Sequence, residues 1–98
     1  KDIGTSGGPI NISIYGRSYC PYCLKAKKLL HKLKRNTAVV GGYFDLKTMA
    51  ENTGMTEDDV RVKLAGNYNY IPIVRMNGRF IGGYSELEKV AKKIEEKK

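Results

Sequence analysis

From Ile10 to Tyr15 apolar residues alternate with polar or amphipathic ones, the two-residue period of a strand with one face in a core. The period then changes. Cys23, Ala26, Leu30 and Leu33 recur at helical spacing with lysines between them, predicting an amphipathic helix over 21–35. Pro21 suits the first position of that helix, where an N–H would have no intrahelical acceptor. A second strand is expected from Ala38-Val39-Val40 to Tyr43-Phe44, with Gly41-Gly42 marking a bulge or break. Residues 45–55 show no clear period and read as a loop with room for a helical turn. Thr56 with Glu57, Asp58 and Asp59 has the form of a capped helix start, and Val60 and Leu64 share one face before Gly66-Asn67 ends it. Ile71–Met76, Asn77-Gly78 and Arg79-Phe80-Ile81 predict a β-hairpin, because both central turn positions want positive φ. Pro72 then belongs at a strand start or edge. Ser85 and Glu88 have capping-box spacing ahead of a last helix striped by Leu87, Val90, Ala91 and Ile94. The order is β-α-β-α-β-β-α, an α/β fold without internal repeats.

A chain of 98 residues holds one domain with a single modest core. Residues 10–98 are assigned to that domain. Residues 1–9, polar and rich in Gly and Ser, read as a flexible tail or vector remnant, and with Lys1 in place of Met the chain is expected to be either a processed or a recombinant product. No apolar run approaches the roughly 20 residues that span a bilayer, and no signal peptide is recognisable. The expected setting is therefore cytoplasmic, without a membrane partner. The net charge of +8 is concentrated in Lys25, Lys27, Lys28, Lys32, Lys34 and Arg35, all on the first predicted helix. A solvated helix face is the plainer reading, and attraction of acidic partners is the alternative. No nucleic-acid-binding motif accompanies the charge.

The chemistry concentrates in Cys20-Pro21-Tyr22-Cys23, between the first strand and first helix. These are the only cysteines, so they cannot form half of a four-ligand zinc site, and the lone His31 is too isolated to complete a metal cage. The thiolate is the attacking species in disulfide exchange, and a free thiol with a pKa of about 8.5 is mostly protonated at neutral pH. Cys20 falls at the helix start, where unpaired N–H groups and the helix dipole stabilise negative charge. Arg17, three residues upstream, adds a second positive influence. Cys23 falls one turn inside, nearer the core. Cys20 is therefore expected to attack and Cys23 to resolve. An inert buried pair is the plain alternative.

The chain resembles a dithiol glutaredoxin over residues 10–94. Tyr19-Cys20-Pro21-Tyr22-Cys23 is similar to that family's active-site string, Ile71-Pro72 to its hydrophobic-then-cis-proline element, and Asn77–Ser85 to its NG-x-x-IGG-x-S stretch. The resemblance implies a thioredoxin fold, with a four-stranded mixed sheet flanked by three or more helices. It implies glutathione as co-substrate, with Cys20 forming the mixed disulfide. Ile71, before the cis Pro72, would pair its backbone with the cysteinyl part of the tripeptide. Gly83, Tyr84 and Ser85 would hold the γ-glutamyl carboxylate at a helix N-terminus. Arg17, in place of the family's usual lysine, would lie near the glycine carboxylate, and Tyr22 would flank the tripeptide. Three departures stand out. Asn69 and Tyr70 replace a frequent basic residue and a usual Thr, 45–70 is a few residues longer than in compact members, and Glu86 replaces a common Asp, a change expected to matter little.

The implied activity is glutathione-dependent reduction of protein–glutathione mixed disulfides and protein disulfides. The partners expected are glutathione and proteins carrying such sulfurs, with the enzyme a monomer and no metal required. A thioredoxin-like reductant is the nearest rival, against which the chain lacks tryptophan altogether. An iron–sulfur carrier bridging two chains through Cys20 is the other, against which Pro21 argues.

Overall fold

The computed structural model describes residues 10–17, 20–68 and 70–96. The assigned tail 1–9, Tyr19 of the active-site string and the departure at Asn69 lie outside them. Among the described residues the order is β1 (Ile10–Gly16), α1 (Pro21–Asn36), β2 (Val39–Asp45), α2 (Leu46–Thr53), α3 (Glu57–Ala65), β3 (Ile73–Met76), β4 (Arg79–Gly82) and α4 (Tyr84–Glu96). One sheet of order β2-β1-β3-β4 results, mixed because β1 pairs β2 in parallel and β3 antiparallel.

The alternation of β1 places Ile10, Ile12 and Ile14 on one face. They meet Ala26, Leu30 and Leu33 of α1 and Leu87 and Ala91 of α4, with Val39, Val74 and Met76 closing the cluster. Ile73, one residue before Val74, points to the other face and packs with Leu46, Ala50 and Val60 from α2 and α3. Helices therefore cover both faces of the sheet. The stripe Cys23, Ala26, Leu30 and Leu33 is the buried face of α1, as its spacing predicts.

Two expectations change here. Residues 46–53 form a full helix rather than loop, because Asp45 Oδ1 accepts from the N–H groups of Lys47 and Thr48 while Leu46 and Ala50 are buried one turn apart. The Gly41-Gly42 pair does not interrupt β2. Its register with β1 runs unbroken from Ile10↔Val39 to Gly16↔Asp45. Gly41 sits at φ +129°, and a Cβ there would lie on the carbonyl oxygen of Ile12, so glycine lets the two strands approach. The hairpin turn is as expected, with Asn77 and Gly78 both at positive φ. Pro72 falls just ahead of β3, and the irregularity in that sheet edge lies between Val74 and Arg75.

Candidate active site

Cys20 is the N-cap of α1, with Pro21 as first helical residue. Its Sγ accepts from the Cys23 N–H at 3.4 Å, doing for this helix what a serine or aspartate oxygen does elsewhere. A thiolate at that point faces the free N–H groups of the first turn. Cys23 is only 1% exposed, and both thiols are free. Burial pushes the Cys23 thiol up from an ordinary 9 to about 11, and its hydrogen bond with Cys20 acts in the same sense.

The neutral form of Cys23 is thus favoured in the fold, and the sign of the pH effect follows. An unfolded chain ionises this thiol first, so the contribution of Cys23 to the stability of the reduced protein is fully present below pH 9 and is lost as the pH rises through about 11. Denaturant unfolding of reduced wild type and Cys23→Ala between pH 8 and 11 should show the wild type losing more. Parallel curves would remove the burial argument.

Tyr43 is a site residue that the sequence reading missed. Its hydroxyl reaches across from β2 and donates to the Arg17 carbonyl at 2.9 Å. A Cβ placed on Gly16 would touch both Cys23 Sγ and that hydroxyl, so thiol, hydroxyl and glycine converge on one point. Burial first, then the negative charge of an ionised Cys23, raises the Tyr43 pKa, while a hydrogen bond from Tyr43 is among the influences that ease ionisation of Cys23. No motif announces this contact, since it depends on β2 lying beside β1.

Arg17 is the cation that the sequence expects to add a positive influence at the thiolate. Its guanidinium forms an ion pair of 2.6 Å with Glu57 in the first turn of α3. The charge is therefore shared.

Just ahead of β3, the Ile71–Pro72 peptide is cis. A Cβ on Gly83 would lie 3.3 Å from the Pro72 carbonyl and against the Tyr68 hydroxyl, which fixes the start of α4 beside the proline. Tyr84 links this end of α4 to the first turn of α1, its ring 5.9 Å from that of Tyr22, itself 56% exposed. Tyr22, Pro72, Gly83 and Tyr84 thus gather around one rim. Ile71 turns its side chain into the α2–α3 cluster.

Ser85 is not the cap of α4. The helix begins at Tyr84, and the Gly83 N–H donates to Glu86 Oε1 at 2.8 Å. The box is shifted by two residues, with Gly83 as cap and Glu86 three residues on. This makes Glu86 a structural participant, a role the sequence reading did not assign to it. The Gly83 N–H, then its own N–H, holds its carboxyl below the ordinary 4.5. A depressed carboxyl stabilises above its unfolded value and loses that contribution as pH falls below it. Glu86→Ala should cost about 1 kcal/mol near pH 7, in the range of capping interactions, and progressively less below pH 4.5. Thermal melts at pH 7 and pH 3.5 check this.

A cysteine pair at the N-terminus of α1, in a four-stranded mixed sheet with a cis-proline ahead of β3, defines a thiol–disulfide oxidoreductase of thioredoxin fold. The glutaredoxin family profile matches residues 12–81. Glutaredoxin 1 of Escherichia coli is 32% identical over 74 residues, covering 74% of this chain and 82% of the relative. A glutaredoxin of Haemophilus influenzae is 30% identical over 82 residues, covering 83% and 90%. The solution structure of reduced E. coli glutaredoxin superposes with a TM-score of 0.67 at 29% identity, covering 88% of this chain and 98% of that one. The chain belongs to the glutaredoxin family. It is a glutathione-dependent disulfide oxidoreductase, and glutathione and protein disulfides are the substrates with which the family works.

Proposed function

We propose that Cys20 is the attacking thiolate and Cys23 the resolving thiol. The observation that carries the assignment is the asymmetry of the pair: Cys20 Sγ is the helix cap and accepts from the Cys23 N–H, whereas Cys23 is sealed in the core with its pKa pushed up to about 11. Cys20 breaks the sulfur–sulfur bond of a glutathionylated substrate and takes the glutathionyl group, and the substrate sulfur leaves as thiolate and is protonated. A second glutathione then attacks the mixed disulfide and regenerates Cys20. With a protein disulfide, Cys23 gives up its proton and attacks Cys20 Sγ. The Cys20–Cys23 bond forms as the substrate thiolate departs and takes up a proton. The Tyr43 hydroxyl, next to Cys23 Sγ, turns toward the charge formed in this step.

The groove for glutathione is read from the rim. The N–H groups of Tyr84 and Ser85 stand in the first turn of α4 without intrahelical acceptors and suit the γ-glutamyl carboxylate. The Ile71 backbone before Pro72 takes the cysteinyl part, Tyr22 flanks the tripeptide, and Arg17, released in part from Glu57, takes the glycine carboxylate. The same reading makes the working unit a cytoplasmic monomer whose partners are glutathionylated or disulfide-bearing proteins, without resident metal, nucleic acid or membrane. A small glutathionyl disulfide assayed with NADPH, glutathione and glutathione reductase tests it. Wild type should turn over, Cys20→Ser should fall to background, and thioredoxin reductase should not replace the glutathione system. Turnover sustained by thioredoxin reductase alone would overturn the reading.

A further inference from the structure

Helix α1 holds six cations (Lys25, Lys27, Lys28, Lys32, Lys34 and Arg35) and no Asp or Glu, hence +6 of the chain's net +8. The other long helices differ: α3 has three acids against two bases, and α4 has four acids against three. A face that needs only to be solvated is met by such mixtures, so solvation does not account for α1. The arrangement also costs stability. Lys25/Lys28, Lys28/Lys32 and Lys32/Arg35 are like charges three or four apart, each unfavourable by about 0.2–0.5 kcal/mol. The helix dipole favours Lys34 and Arg35 in the last turn but opposes Lys25 near the first.

Four of the six are engaged locally. Lys25 lies over the Tyr22 ring, Lys27 over the Tyr43 ring, Lys32 pairs with Glu95, and Lys34 donates to the Gly41 carbonyl. Only one of these contacts neutralises charge. Leu24, Lys27, Lys28, His31, Lys32 and Arg35 together line an open groove of about 510 Å³ along the outer face of the helix. Its near end is Leu24, 49% exposed, one turn beyond Cys20. The groove therefore begins one helical turn from Cys20 and runs away from it.

We propose that this groove docks an acidic segment of the protein substrate, seating the substrate sulfur at Cys20. At 1.5 Å per residue the groove from Leu24 to Arg35 is roughly 16 Å long, and an extended strand covers that in about five residues. The recognised acids then lie in the five or so residues that follow the first two beyond the sulfur-bearing position. Charge complementarity selects the occupant: the groove offers Nζ and guanidinium groups around one exposed leucine, which suits carboxylates with an apolar contact near the sulfur. The proposal deepens the reading of Cys20 as the attacking sulfur and rests on it.

Two glutathionylated peptides, identical except for four Glu or four Gln in that window, provide the test on the whole protein. The Glu peptide is expected to have a kcat/KM about tenfold higher at low salt, expressed in KM. The advantage should shrink as salt is raised past 0.1 M, where the screening length is about 10 Å. Lys28→Glu/Arg35→Glu, at two exposed positions away from the sulfurs, should abolish or reverse the preference while turnover of the small glutathionyl disulfide stays within twofold. Equal rates for the two peptides, or a preference unchanged in the double variant, would overturn the proposal. So would a single-stranded oligonucleotide that binds the groove in 0.15 M salt more tightly than the Glu peptide, which would make the face a nucleic-acid site. Failure of wild type on the small substrate as well would instead remove the reading of Cys20.

Discussion

Cys23→Ser should leave reduction of a glutathionylated substrate within about threefold of wild type and lower reduction of a protein disulfide roughly a hundredfold. The difference lies in the second half-reaction. A glutathionyl group on Cys20 can be removed by an external thiol, because that sulfur is at the helix cap and partly accessible. A protein joined to Cys20 is released fastest by a thiol on the same helix, one turn away, and intramolecular attack in a well-oriented pair has effective molarities of up to about 10⁵ M or more. Millimolar glutathione cannot match that advantage even if only a small part of it is realised. Serine keeps the size of Cys23 and its N–H bond to Cys20 Sγ, so the comparison isolates the thiol. Trapped enzyme–substrate mixed disulfide should accumulate and be visible by mass. Equal loss of both activities would mean that the external-thiol route does not operate.

The second large effect is expected from Gly16→Ala. Gly16 ends β1 with no room beside it: a Cβ would fall on Cys23 Sγ, 2.9 Å from the Tyr43 hydroxyl and 3.2 Å from Cys23 Cβ. Neither neighbour is a free surface group, since one belongs to the buried stripe of α1 and the other is hydrogen-bonded to the Arg17 carbonyl. Relief requires α1 to move at its N-terminus, which displaces Cys20 as well. Overpacking of this kind costs about 1–3 kcal/mol, or some 4–8 °C in Tm for each kcal/mol in a domain of this size. Disulfide reduction should fall further than stability does, because attack depends on the separation of the sulfurs. Gly16→Ala/Cys23→Ala supplies the control. Removing Sγ relieves the closest of the three contacts while those with the Tyr43 hydroxyl and Cβ of residue 23 remain, so the double variant should regain part of the lost Tm. Additive losses would show that the clash is elsewhere.

The sheet, the first helix and the cysteine pair were legible because they rest on local rules: alternation in β1, the 23/26/30/33 stripe, proline at a helix start, Asn-Gly in the hairpin. Helix α2 was obscured by its shortness. Only Leu46 and Ala50 are buried, too few for a period, although Asp45 at one end and Gly54 in the left-handed conformation at the other carried cap signals that could have been used. The frame of α4 was misread because two cap-and-glutamate pairs of identical spacing overlap there, Gly83/Glu86 and Ser85/Glu88, and spacing alone does not choose between them. What the sequence could not show was any partner brought in by tertiary packing. Glu57 on Arg17 spans 40 positions, and Tyr43 reaches the cysteine site only because β2 pairs with β1.

The two faces of the sheet are unequally filled: among the described residues, eleven buried ones form the cluster with α1 and α4 and four the cluster with α2 and α3. Local opening costs less where less is buried, so backbone amides of α2 and α3 should exchange with deuterium well before those of α1. That thinner half includes Glu57, which holds Arg17, and the cluster that receives Ile71. On the proposed glutathione groove, the side formed by Arg17 and Ile71 is thereby mounted on the more compliant layer, while the cysteines are mounted on the stiffer one. That division would let the proposed groove yield on one side only, with the reacting sulfurs kept in register.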